Sequence, residues 1–223
     1  MTNMTPIVPA PFLPKKGNYR NLIAYQKAEC IYDLTFYFAN HYLGPKDRTI
    51  DQMVQAARSG KQNIAEGCAA ASTSAETELK LIGVAKASLQ ELLTDYEDYL
   101  RVRGLVQWSL DDERTQATQR FCSNHNTPAD YTNNIEQRSP EALANITITL
   151  IHQTDVMLRK LMERLQADFQ QKGGIREQMT AARLGFRSTQ KAEIDRLMAE
   201  NQRLTQRVAY LEAKLGQLGQ LDQ

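Results

Sequence analysis

Residues 73–104 read TSAETELKLIGVAKASLQELLTDYEDYLRVRG. The first four, Thr73-Ser74-Ala75-Glu76, have the form of a capping box, in which a hydroxyl and a carboxylate satisfy the first free amides of a helix. Ile82, Ala85, Leu89, Leu92, Tyr96 and Tyr99 then recur at three-and-four spacing, which places them on one helix face. Gly104 ends the pattern. At about 1.5 Å per residue such a helix is roughly 40 Å long. An apolar face of that length has to be covered by other long helices, so the stretch predicts an all-α protein built as an antiparallel four-helix bundle.

The rest of the chain repeats the pattern. Residues 18–43 read as a helix stopped by Gly44-Pro45, and Asp47 is placed to cap a second helix running to Gly67. A shorter helix is expected over 110–122, followed by a loop at 123–138 rich in Asn, Thr and Pro. Ser139-Pro140-Glu141 supplies a cap, a first-turn proline and a first-turn acid. The long helix it opens carries Leu143, Ile146, Leu150, Met157, Leu161, Leu165 and Phe169 on one face and stops at Gly173-Gly174. No segment sustains strand alternation. The predicted organisation is a disordered Pro-rich arm at 1–17, the bundle at 18–172, a connector at 173–190 and a coiled coil at 191–223.

Composition narrows the function. Of 223 residues, 27 are basic and 26 acidic, so strong non-specific nucleic-acid binding driven by bulk charge is not expected, while a local patch is open. Mean hydropathy is −0.52, and the longest apolar runs fall short of the roughly 20 residues that span a bilayer. Cys30, Cys68 and Cys122 are odd in number and lack metal-ligand spacing, which argues against a disulfide framework. The arm has neither the apolar core nor the cleavage site of a signal peptide, and a cytoplasmic location is the expectation. In the first helix Ala24, Ala28, Ile31, Thr35, Phe38 and Tyr42 form one stripe and Tyr25, Tyr32 and Phe36 a second. An arc that wide predicts burial on two sides, against the bundle core and a neighbouring subunit. A thick core stripe with wet tyrosine hydroxyls, or base stacking by the tyrosines, are the alternatives.

Arg58-Ser59-Gly60-Lys61-Gln62-Asn63-Ile64-Ala65-Glu66-Gly67, followed by Ser74, Glu78, Leu81, Ala85 and Ser88-Leu89-Gln90-Glu91-Leu92, resembles the four-helix-bundle family first described as 23S rRNA intervening-sequence proteins. Leu150-Ile151-His152-Gln153 and Asp168-Phe169 resemble its longer "suffix" branch. The resemblance implies a non-enzymatic oligomer, often a pentamer. The family includes accessory proteins of diversity-generating retroelement reverse transcriptases, which bind nucleic acid and the polymerase. Physically, Ala56, Ala57, Gly60 and Ala65 permit close helix approach, and Arg58, Asn63 and Glu66 are expected in a buried polar layer that fixes bundle register.

His152 and Asp155 are three apart on the long helix, and a hydrogen bond between them would extend the polar layer. No nucleophile accompanies them. Cys122 and His125 offer two metal ligands without a matching pair, and neither a phosphate-cradling loop nor a metalloprotease motif is present. The expectation is therefore no catalytic residue, no cofactor and no metal.

From residue 191 a heptad emerges, with Ile194, Asn201, Val208 and Leu215 at a and Leu197, Leu204, Leu211 and Leu218 at d. Branched a residues, leucine at d and one asparagine at a favour a parallel two-stranded coil. Folding back onto the bundle and a DNA-gripping basic zipper are the alternatives. The gathered cations are Lys15, Lys16 and Arg20 in the arm, Arg58 and Lys61 in the motif, and Arg176, Arg183 and Arg187 in the connector. The expected function is an oligomeric accessory or adaptor protein that engages RNA, DNA or a nucleic-acid enzyme such as a reverse transcriptase. The rival is a scaffold that binds only proteins.

Overall fold

The computed structural model describes residues 18–219, with side chains throughout except at 172 and 215–219. Lys15, Lys16 and the side chains of Leu215 and Leu218 therefore lie outside the described residues. The protein is all-α, with no strand among the described residues. After a 3-10 turn at Tyr19–Asn21 come α1 (Ile23–Tyr42), α2 (Thr49–Ala70), α3 (Ala75–Val102), α4 (Glu113–Asn124), α5 (Pro128–Thr132), α6 (Pro140–Lys172) and α7 (Ile175–Gly219). The described residues up to Ile175 form one compact unit, and α7 from Arg176 belongs to a second.

In the first unit α1 packs against α2 and α6, and α3 packs against α2 and α6. Ala28, Ile31, Leu34, Met53, Ile64, Ile82, Leu89, Leu92, Leu150 and Leu158 are all at most 1% exposed in the shared core. Burying each large side chain of this kind stabilises the fold by about 1.5–3 kcal/mol. Phe38 of α1 meets Tyr99 of α3 edge to face at 4.7 Å and Tyr96 at 4.9 Å. The buried Tyr96 hydroxyl donates to Thr35 Oγ1 at 3.1 Å, so the aromatic cluster carries no orphaned polar group at that point.

Several boundaries differ from expectation. Gly67 does not end α2, which continues to Ala70; Gly67 instead lies against Ile82. Ser74, not Thr73, caps α3, accepting from the Thr77 amide at 3.1 Å. Gly104, with φ of +63°, closes α3 in the left-handed conformation that a side chain disfavours. Residues 123–138 are not an open loop. Thr127 and Asp130 form a reciprocal capping box with Pro128 in the first turn, and α5 packs on α1 through the fully buried Tyr131. The face assigned to α6 ends early: Phe169 is 48% exposed. Its 33 residues span about 50 Å, whereas the 20 of α1 span about 30 Å, so the last turns outrun their cover.

Gly173, with φ of +69°, terminates α6 as predicted, accompanied by its amide donating to the Phe169 carbonyl at 2.9 Å. The predicted connector at 173–190 is mostly helix, because α7 begins at Ile175 and runs unbroken through Gly185 to Gly219. Gly185 does not end the helix, since one glycine in a helix interior costs only about 1 kcal/mol relative to alanine.

Candidate functional site

The motif of α2 works as a seam with α3. Gly60 faces Leu89 so closely that an added Cβ would stand 2.7 Å from Leu89 Cδ2, and at Gly67 it would stand 3.1 Å from Ile82 Cδ1. Beside these contacts the Ser59 and Ser88 hydroxyls lie 2.9 Å apart, and Asn63 Nδ2 donates to the Ser59 carbonyl at 2.9 Å. Small residues bring the two backbones together, and short hydroxyls then bridge them. The pairing of Ser59 with Ser88 does not follow from spacing along either helix. Its trace in the sequence is that each serine directly precedes a member of the tight Gly60–Leu89 contact.

The predicted polar layer is not assembled. Arg58 and Glu66 are exposed, leaving Asn63 alone on the half-buried edge of the seam. A helix turns about 100° per residue, so with Gly60, Ile64 and Gly67 facing inward, Arg58 and Glu66 point out. His152 is exposed and does not hold Asp155, whose carboxylate pairs with Lys86 of α3. The buried polar groups of the core are different ones. Thr147 and Thr154 donate to the carbonyls four residues back on α6, at 2.8 Å each.

Lys27 is the least expected member of the interior. It is fully buried, and its ammonium donates to the Cys122 carbonyl in the last turn of α4. A cation at a helix C-terminus complements the dipole and satisfies a carbonyl that lacks an intrahelical partner. Burial holds the Lys27 ammonium below its ordinary range. The same burial pushes the Cys30 thiol up to about 12 and raises that of Cys122 and the phenol of Tyr131. These thiols are therefore protonated, poorly nucleophilic core groups. His125 stacks on Phe121 with ring centroids 4.0 Å apart and its Nδ1 2.8 Å from the Phe121 carbonyl. Among the described residues no group of three or more His, Cys, Asp or Glu is arranged to hold a metal ion.

A groove of about 920 Å³ opens between α4, α6 and the segment 105–112. Its wall is pinned by Asn145, only 3% exposed, which accepts from the Trp108 amide at 2.8 Å and donates to the Val106 carbonyl at 2.9 Å. Glu141 accepts from the Val106 amide at 3.1 Å and the Trp108 indole at 3.2 Å. Arg114 covers the indole at 4.7 Å. Residues 105–112 lack helical periodicity, so no sequence pattern marks Trp108 or Asn145 for this role.

The predicted cations divide between the two units. Arg20 and Arg58 are exposed on the first, whereas Lys61 is half-buried with its ammonium 4.2 Å from the centre of the Tyr32 ring. Of the second stripe of α1, Tyr25 and Tyr32 are half-buried against the core, and Phe36 alone stays on the outer side, 53% exposed. Arg176, Arg183 and Arg187 are all exposed on α7. Spaced by seven and four residues, they fall within about 40° of one another around the helix. Stepping back by sevens from Ile194 and Leu197 reaches Arg187, Arg183 and Arg176, so this basic face continues the heptad seam toward the N-terminus. No helix among the described residues is long and apolar enough to cross a membrane. No family model, curated protein or solved structure matches the chain.

Proposed function

We propose that the chain is a non-enzymatic accessory protein: an antiparallel four-helix bundle of α1, α2, α3 and α6 whose helical tail joins copies and carries a nucleic-acid contact. The ring of neighbours from α1 through α2, α3 and α6 back to α1 supports the bundle, as does its shared core. The α2–α3 seam gives a packing role to the motif that resembles the intervening-sequence family. The observation that carries the nucleic-acid reading is the exposed arginine face of Arg176, Arg183 and Arg187. Guanidinium groups on one helix face can follow a phosphate backbone, and arginine presents a fork matched to phosphate oxygens.

The test is fluorescence anisotropy with single-stranded RNA across a salt series. Binding should weaken steeply with salt, and Arg183→Glu/Arg187→Glu should flatten the logarithmic slope by about 1.4, near 0.7 for each phosphate no longer neutralised. Unchanged binding in that variant would remove the arginine face from the reading. No binding at low salt by the unaltered protein would leave the protein-only scaffold, which the exposed Phe36 of α1 favours as a subunit contact.

A further inference from the structure

Along α7, Ile194, Leu197, Leu204, Val208 and Leu211 stand between 43% and 57% exposed. They repeat with the seven-residue period of a two-stranded seam, which a second helix with the same period covers. The charges bordering that seam are ordered. On one flank Glu193 and Glu200 come first, then Arg207 and Lys214; on the other, Lys191 precedes Glu212. The sign therefore reverses midway along each border.

We propose that two copies of this chain pair through α7 running in opposite directions, with Glu200 of each facing the partner's Arg207. This rests on the self-associating tail of the proposed function and specifies its occupant and orientation. In that register Glu193 faces the partner's Lys214, and Lys191 faces the partner's Glu212. The two-fold axis makes each pair twice. The apolar layers close in the same register, with Ile194 opposite the partner's Leu211 and Val208 opposite the partner's Leu197. The two Asn201 residues fall in the neighbouring layers astride the axis, each opposite the partner's Leu204.

A parallel alignment uses the charges poorly. It brings Arg207 toward the partner's Glu212, but sets Glu193 and Glu200 against Met198 and Thr205. Its advantages are branched residues at a beside leucine at d and the Asn201 pair at one layer, against the two further kinds of ion pair that the opposite direction makes. Within one chain Glu193 accepts from Arg196 at 2.8 Å, and the Arg207 guanidinium lies 5.3 Å from the Tyr210 ring. Both contacts are on the exposed helix surface and leave the seam open.

The experiment uses the full chain in a Cys68→Ser background, with Ile194→Cys in one preparation and Leu211→Cys in another. Mixing the two should give disulfide-linked pairs under mild oxidation, while each alone should not. Adding Glu200→Lys to both should slow trapping roughly tenfold, because two attractive contacts become repulsive. Adding Arg207→Glu to those same chains should restore it, since the pair is then exchanged rather than broken. If each cysteine variant links to itself and the exchanged chain pairs worse than the single reversal, the tails are parallel and the orientation is overturned while self-association stands. If no combination links, the self-associating tail itself is refuted.

Discussion

Replacing Gly60 by alanine tests the α2–α3 seam, and replacing Gly83 provides the control. Both glycines lie inside helices, so each substitution removes unfolded-chain entropy worth about 1 kcal/mol. Their surroundings differ. A Cβ at Gly60 would stand 2.7 Å from Leu89 Cδ2 and 2.8 Å from Leu89 Cγ, about 1 Å inside normal carbon contact. Leu89 is 1% exposed, so its branch has no solvent to turn into, and either the helices separate or the side chain leaves its rotamer. Overpacking of that sort costs about 1–3 kcal/mol. At Gly83 the nearest atom is Met162 Cε at 3.9 Å, an ordinary contact. Gly60→Ala should therefore destabilise by about 1 kcal/mol and Gly83→Ala stabilise by about the same. For a chain of this size that separates their melting temperatures by roughly 4–8 °C. Thermal melts followed by circular dichroism measure the difference, and repeating Gly60→Ala in a Leu89→Ala background should reverse its sign. If Gly60→Ala stabilises the intact seam as much as Gly83→Ala does, the two helices do not approach as described and the argument fails.

Asn145→Ala should destabilise by about 2 kcal/mol, because it leaves the Trp108 amide and Val106 carbonyl without their partner, and tryptophan emission should shift to the red; an unchanged melt and spectrum would contradict the pinned wall. Cys30 should contribute to alkaline unfolding. Its folded thiol ionises near 12 against an ordinary 9.0, so its stabilisation is complete below pH 9 and is lost as pH rises toward 12, at up to about 1.4 kcal/mol per pH unit. Lys27, held below its ordinary 10.5, acts in the opposite sense as pH approaches 10.5 from below, so the informative quantity is the difference between the unaltered chain and Cys30→Ala, which should lose that share of the slope. A double-mutant cycle on Lys86→Ala and Asp155→Ala should give a coupling of about 0.5–1 kcal/mol that 1 M salt largely removes, and zero coupling at low salt would dismiss the pair.

The helices are legible in the sequence because their information is local. Apolar residues at three-and-four spacing, Ser139-Pro140-Glu141 at the start of α6 and Gly173 at its end act through the chain's own backbone and need no distant partner. Even the α5 turn has its local mark in Thr127-Pro128-Ala129-Asp130, masked by the Asn and Thr around it. The heptad of α7 belongs to the same class, since its period is carried entirely by spacing. The polar interior is not legible in this way. Lys27 reads as a surface cation until α4 ends above it and leaves a carbonyl for it to satisfy. Asp155 can be assigned to His152, three residues away, until α3 brings Lys86 nearer. Gly67 reads as a terminator until Ile82 occupies the space where its side chain would be. In each case the deciding atom lies on another helix. Spacing along one helix fixes which residues share a face, whereas the partner of a buried polar group depends on the rotation and height at which two helices meet, set by side-chain packing across the whole core.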